Sequence, residues 1–265
     1  MTANKPGDVL TLAEEMGITK QQTVWWRLFL LGMLAGAYIG IGGLLSVMLG
    51  NGLPGIAAEN PVIVKLLSGA AFPVGLMLII LVGGELFTGN NATLMPATLN
   101  RRIPPYYFLL NWLTVYVANF IGAFLFVYFL VYKTGVVQAE PWLSATQKIA
   151  EHKVSLSWGN VFLRGIGANW LVCLAVWMAL ASQDLTGKIF AIWWPVMTFV
   201  VIGFEHSIAN MFYLPLGILQ GANISWQAIW LDNLLPATLG NIVGGSLLVG
   251  TMYTVLYTKK TKGKR

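Results

Sequence analysis

Apolar residues fall in six long blocks, at about 26–50, 62–97, 105–132, 158–181, 189–218 and 237–257. Each reaches the roughly 20 residues that carry a helix across about 30 Å of hydrocarbon. The pattern therefore predicts an all-α membrane protein with six transmembrane helices. The second and fifth blocks are interrupted near their middles by glycine and polar residues. Ahead of the first block, Val9, Leu10, Leu12, Ala13 and Met16 recur at the spacing of a short amphipathic helix. Such a helix either lies on the membrane surface or caps the bundle. The longest connection, "KTGVVQAEPWLSATQKIAEHKVSLS", separates the third and fourth blocks. Three regions result: an N-terminal helix over 1–25, a six-span unit over 26–258 and a basic tail over 259–265.

The two interruptions match each other. One reads Gly83-Gly84-Glu85-Leu86-Phe87-Thr88-Gly89-Asn90; the other reads Gly203-Phe204-Glu205-His206-Ser207-Ile208-Ala209-Asn210. Both fit G-x-E-x-x-x-x-N, 120 residues apart. Asn119 and Gly122 in the third block match Asn241 and Gly244 in the sixth, an offset of 122. "GAY" at Gly36 pairs with "GAN" at Gly167, an offset of 131. Three ordered matches predict two three-helix halves. Because three is odd, the second half enters the membrane from the opposite side. This is an inverted repeat whose broken segments meet near mid-membrane, and paired breaks of this kind point to a substrate path.

Composition sharpens the membrane assignment. Of 265 residues, 57% are hydrophobic and 10% charged, against about 25% charged in soluble domains. The opening residues lack the basic start, short apolar core and cleavage site of a signal peptide. The net charge of +6 is concentrated in the tail "KKTKGKR", which reads as a topology signal and not as a nucleic-acid surface. Six spans put both ends on one side, with Lys5, Lys20, Arg27, Arg101, Arg102, Lys188 and the tail cations. Lys65, Lys133, Lys148 and Lys153 fall on the other side, and Arg164 falls inside the fourth span. The positive-inside rule then places both termini in the cytoplasm.

Backbone that leaves helical geometry at membrane depth must be buried or line a cavity. The helix ends exposed there favour an anion. Thr88 offers a hydroxyl at the first break. Leu86, Phe87, Phe72, Leu76 and Phe199 lie near the breaks, either as apolar constrictions or as ordinary packing. His206 is one of two histidines in the chain. It is either a buried neutral ring bonded to a carbonyl or a proton-exchanging or hydrogen-bonding group at the substrate position. Leu86 occupies its place in the first half, so the histidine has no twin. Glu205 and Glu85 do correspond, and read as anchors of the loop backbone. Asn90, Asn210 and Asn241 read as loop supports, as does Asn169 unless it meets the substrate. Lys153 is either an exposed lysine or a cation that concentrates anions at a mouth. The single cysteine, Cys173, excludes an intrachain disulfide and a multi-cysteine metal site. No phosphate loop, metal cluster or nucleophile elbow is present, so neither an enzyme nor a cofactor or metal is expected. A neutral-solute channel is disfavoured because its paired Asn-Pro-Ala breaks are absent.

At these residues the chain resembles the formate–nitrite transporter family. "GGELFTGNN" and "GFEHSIANM" are similar to the family's two breaks, and "EHKV", "GANWLVCLAVWMA" and "DNLLPATLGNIVGG" also match. The resemblance spans about 8–257. It implies an aquaporin-like fold, a homopentamer with one pore per protomer, a plasma-membrane location, and passage of small monovalent anions or their acids. Formate is the first expectation, passively or with protons. Nitrite or hydrosulfide is the alternative, and acetate or lactate also occurs among members. The resemblance further implies that His206 is the central histidine, Thr88 the loop threonine, Lys153 the vestibule lysine and Asn169 a polar partner. Leu86, Phe87 and Leu76 would form the cytoplasmic constriction, with Phe72 and Phe199 forming the periplasmic one.

Overall fold

A computed structural model describes residues 3–258, so the basic tail over 259–265 lies outside the described residues. Helix α1 (Pro6–Gln22) starts on a proline at its first position, with Asp8 in its first turn and Lys20 in its last, as helix-end chemistry favours. It buries Val9, Leu10, Ala13, Gly17 and Lys20 along one stripe. The first half continues with α2 (Trp25–Asn51), a short α3 (Pro54–Glu59) and α4 (Pro61–Gly83). After the first break come α5 (Phe87–Thr93), α6 (Met95–Leu99) and α7 (Tyr107–Tyr132). The second half comprises α8 (Trp142–Ser155), α9 (Trp158–Ala181), α10 (Leu185–Ile202), α11 (Ser207–Leu219) and α12 (Trp226–Tyr257). Six of these helices are long and apolar enough to cross a membrane.

Both breaks follow one local rule. The preceding helix ends at a glycine with positive φ, 115° at Gly83 and 79° at Gly203, a conformation that a Cβ disfavours. Three residues then run non-helically before the half-helix α5 or α11 begins. Small residues let the spans approach closely. A Cβ at Gly122 would collide with the Met33 carbonyl, and one at Gly244 with the Ile166 carbonyl. Accordingly α2 packs on α7, and α9 packs on α12.

The inverted repeat is visible atom by atom. Asn119 accepts from the Phe87 amide and donates to the Gly32 and Glu85 carbonyls. Asn241 accepts from the Ser207 amide and donates to the Gly165 and Glu205 carbonyls. Asn90 donates to Glu85 and Asn111; Asn210 donates to Glu205 and Asn233. Lys20 grips Glu85, and Lys153 grips Glu205.

Three sequence expectations change. First, the paired roles of Gly32 and Gly165 set the offset between first and fourth spans at 133, so Gly36 corresponds to Asn169 and not to Gly167. The contacts agree: a Cβ at Gly36 would meet the Asn119 carbonyl, while Asn169 Nδ2 donates to the Asn241 carbonyl. Second, the long connection contains helix α8, the counterpart of α1, so each half has four parts. Third, the sixth span begins at Trp226, well before residue 237. Asp232 and Asn233 interrupt the apolar run, but Asn233 points inward to Asn210, Glu205 and the Lys153 carbonyl.

Helix α1 packs on α6 and on the last turns of α12, so both described ends lie on one face, here the terminus side. Helix α8 packs on α11 near the opposite face.

Candidate transport path

Two vestibules approach the breaks from opposite faces. The terminus-side vestibule is a cavity of about 420 Å³ whose walls include Lys20, Glu85, Leu86, Leu76 and Lys188. The opposite vestibule is about 230 Å³, and its walls include Lys153, Arg164, Glu205, Phe72, Phe199 and His206. Between them lies a void of about 10 Å³, barely enough for one water. Repeat-related residues line it in pairs: Ile39 with Val172, Leu76 with Val196, and Leu86 with His206; Phe72 and Phe199 complete the wall. His206 is the one polar side chain among them.

The ring of Phe199 meets Phe72 edge-on at 5.7 Å and stacks on His206 at 5.7 Å. Phe72, Leu76, Leu86 and Phe199 are all buried. Phe87 is placed elsewhere. As the first residue of α5 it packs against Tyr116 at 5.0 Å and Trp112 at 6.2 Å, in the wall behind the path. Sequence reasoning missed Ile39, Val172 and Val196, whose aliphatic side chains carry no signal apart from their repeat-related positions.

His206 caps α11. Its backbone is extended, and its Nδ1 accepts the Ala209 amide at 3.1 Å, the role usually taken by Ser, Thr, Asp or Asn. An Nδ1 that accepts carries no proton, so the ring is the neutral Nε2–H tautomer, assigned by this hydrogen-bond pattern. Nε2 then donates to Thr88 Oγ1 at 2.9 Å. That bond joins the second break to the first half-helix. The Thr88 hydroxyl hydrogen has no acceptor among the described residues. Leu86 makes no cap at the equivalent position.

Asn169 stands behind the loops and not in the walls of the void. Its amide donates to the carbonyls of Thr88 at 3.1 Å and Asn241 at 2.7 Å, and to Asn91 Oδ1 at 3.0 Å. Cys173 Sγ also donates to the Thr88 carbonyl, at 3.2 Å. Thr88 is thus fixed from behind while its hydroxyl faces His206.

Each glutamate is fully engaged. Glu85 accepts from Lys20 at 2.6 and 2.7 Å and from Asn90 at 2.7 Å. Glu205 accepts from Lys153 at 2.9 Å, Asn210 at 2.7 Å and Asn233 at 3.1 Å. Removing one partner of such a buried pair costs about 3–5 kcal/mol. Lys20 was missed as a site residue, although the offset of 133 pairs it with Lys153.

Two broken helices meeting at an apolar barrier, with a cationic vestibule on either side, define a membrane channel or transporter. The profile of the family described as "Formate/nitrite transporter" matches residues 7–255. The chain is 41% identical to a probable formate transporter of Methanothermobacter thermautotrophicus, with 96% of this chain and 97% of that protein covered. It is 38% identical to the formate channel BtFdhC of Bacillus thuringiensis, with 98% of each covered. A solved pentameric formate channel with formate bound superposes with a TM-score of 0.77 at 33% identity, covering 89% of this chain and 98% of that one. The chain belongs to the formate/nitrite transporter family. It is a multi-pass membrane transport protein and not an enzyme.

Proposed function

We propose that the protein conducts formate across the plasma membrane as a homopentamer, one path per protomer, with both termini cytoplasmic. The observation that carries this reading is the single polar side chain, His206, hydrogen-bonded to Thr88, in an otherwise apolar barrier between two cationic vestibules. The anion gathers in a vestibule and reaches the barrier. Burying a bare carboxylate there costs several kcal/mol even after relaxation. Formate that displaces the His206–Thr88 bond meets two donors that lower that barrier: the Nε2–H of His206 and the hydroxyl of Thr88. Low dielectric also favours the neutral acid over the anion, so a proton taken up in the vestibule eases passage. His206 acts as a hydrogen-bond donor, since its Nδ1 is already engaged by the Ala209 amide. Phe72, Phe199, Leu76 and Leu86 exclude hydrated ions, and Asn169, Asn241, Glu85 and Glu205 hold the loops.

The names of the relatives support formate as the substrate, and the pentameric neighbour supports the assembly. The excess of basic residues on the terminus side supports the orientation. The test is flux into proteoliposomes with formate, nitrite, hydrosulfide and lactate supplied singly, with pH and voltage varied independently. Formate is expected to be carried fastest. A faster rate for nitrite or hydrosulfide reassigns the substrate, and no flux above empty liposomes overturns the reading.

A further inference from the structure

Each vestibule holds a lysine and a second cation. The lysines are spoken for: Lys20 lies 2.6 Å from Glu85, and Lys153 lies 2.9 Å from Glu205. A lysine–glutamate pair has no net charge, so its field at an approaching anion is small. The second cations differ. Among the described residues, neither Arg164 nor Lys188 has a carboxylate within ion-pair distance. Arg164 lines the same cavity as His206 and Phe199; Lys188 lines the same cavity as Leu86 and Leu76. Arg164 has one polar contact, a long 3.5 Å bond to the Gly203 carbonyl, and Lys188 has no side-chain hydrogen bond among the described residues.

The repeat does not explain these two residues. The counterpart of Arg164, at the offset of 133, is Leu31, which lines the terminus-side vestibule. Both backbones do the same work there: the Arg164 carbonyl accepts from the Glu205 amide, and the Leu31 carbonyl accepts from the Glu85 amide. The counterpart of Lys188, at the offset of 120, is Ser68 in the opposite vestibule, where it bonds Ser46 at 2.6 Å. The Lys–Glu–Asn sets that hold the two breaks recur in both halves, whereas Arg164 and Lys188 do not. Instead each vestibule receives one uncompensated positive charge, from a different helix on each side. In a cavity with low-dielectric walls such a charge concentrates anions and raises their rate of entry.

We infer that Arg164 and Lys188 are the anion-recruiting residues of the two mouths, whereas Lys153 and Lys20 are positioning residues that hold Glu205 and Glu85 under the breaks. The inference rests on the anion-transport reading above.

The test uses the full-length protein in membrane vesicles of the two opposite orientations. Initial rates of labelled formate uptake are measured against formate concentration and ionic strength. In R164Q, the half-saturating formate concentration rises roughly threefold to tenfold for entry from the Arg164 side only. Its maximal rate stays within about twofold, on the same physical ground that recruitment acts on entry. Its salt dependence flattens, and R164K restores both. K188Q does the same for entry from the terminus side only. Wild type serves as the measurement that needs no variant: its half-saturating concentration rises with salt from both sides. A salt-independent wild type overturns the inference. So do unchanged half-saturation in R164Q and K188Q, or a loss of maximal rate that R164K does not restore. Wild-type vesicles that carry no anion at all remove the transport reading itself, which separates the two failures.

Discussion

His206 links two tasks that the rest of the chain keeps apart. Its Nδ1 terminates a half-helix, and its Nε2–H faces Thr88 across the barrier. Each ring nitrogen is committed, so the histidine cannot turn without losing both bonds. Thr88 is the cleaner probe of the crossing. Thr88→Val keeps the branched shape, removes the hydroxyl and leaves the His206 donor buried without an acceptor. The expected cost is about 1–3 kcal/mol, seen as a lower melting temperature in detergent, together with reduced formate flux. Thr88→Ser restores both. At this scale the sequence was informative where partners are close in the chain. The G-x-E-x-x-x-x-N spacing is the distance at which Asn90 reaches Glu85 and Asn210 reaches Glu205. It was uninformative where partners are distant: the two lysine–glutamate pairs span 65 and 52 residues. Phe87 shows the same limit, since its neighbours Trp112 and Tyr116 lie on another span.

Helices α1 and α8 are the elements that complete each half. Each ends near a lysine that enters the bundle and neutralises the glutamate of a break, so a helix outside the six spans positions the loop. This predicts a double-mutant signature. Lys20→Met leaves Glu85 buried without its counter-ion and costs about 3–5 kcal/mol. Adding Glu85→Gln removes the stranded charge, so the double variant is more stable than Lys20→Met alone. Lys153 and Glu205 behave alike. Thermal unfolding of the four proteins in each cycle measures this coupling, and additive losses would contradict it. Hydropathy showed the spans because lipid demands long apolar runs. It hid α8, whose buried positions are Thr146 and Ala150, too few and too small to make an apolar stripe. It also hid the first turns of α12, where Asn233 is turned inward to serve Asn210 and Glu205.

The whole molecule is a near-symmetric frame around an asymmetric path. The loop-holding glutamates and lysines recur in both halves, as do Asn90 with Asn210 and Asn119 with Asn241; Asn169, opposite Gly36, is the exception. The groups that line the barrier and the vestibules do not: His206 is opposite Leu86, Arg164 is opposite Leu31 and Lys188 is opposite Ser68. The frame was legible as matching motifs because its parts repeat. The void was only partly legible, because Ile39, Val172 and Val196 differ from any other buried aliphatic residue only in where the helices bring them. The central claim is that formate crosses the barrier at His206, and the direct test is formate flux in proteoliposomes for wild type and His206→Asn. Asparagine can still cap α11, so the fold is retained, while loss of the bond to Thr88 lowers the melting temperature about as far as Thr88→Val does. It does not present the Nε2–H donor on the path. A hydrogen bond to a charged group is worth about 1.5–3 kcal/mol, so the account predicts a flux roughly tenfold or more below wild type. Wild-type flux in His206→Asn would contradict it.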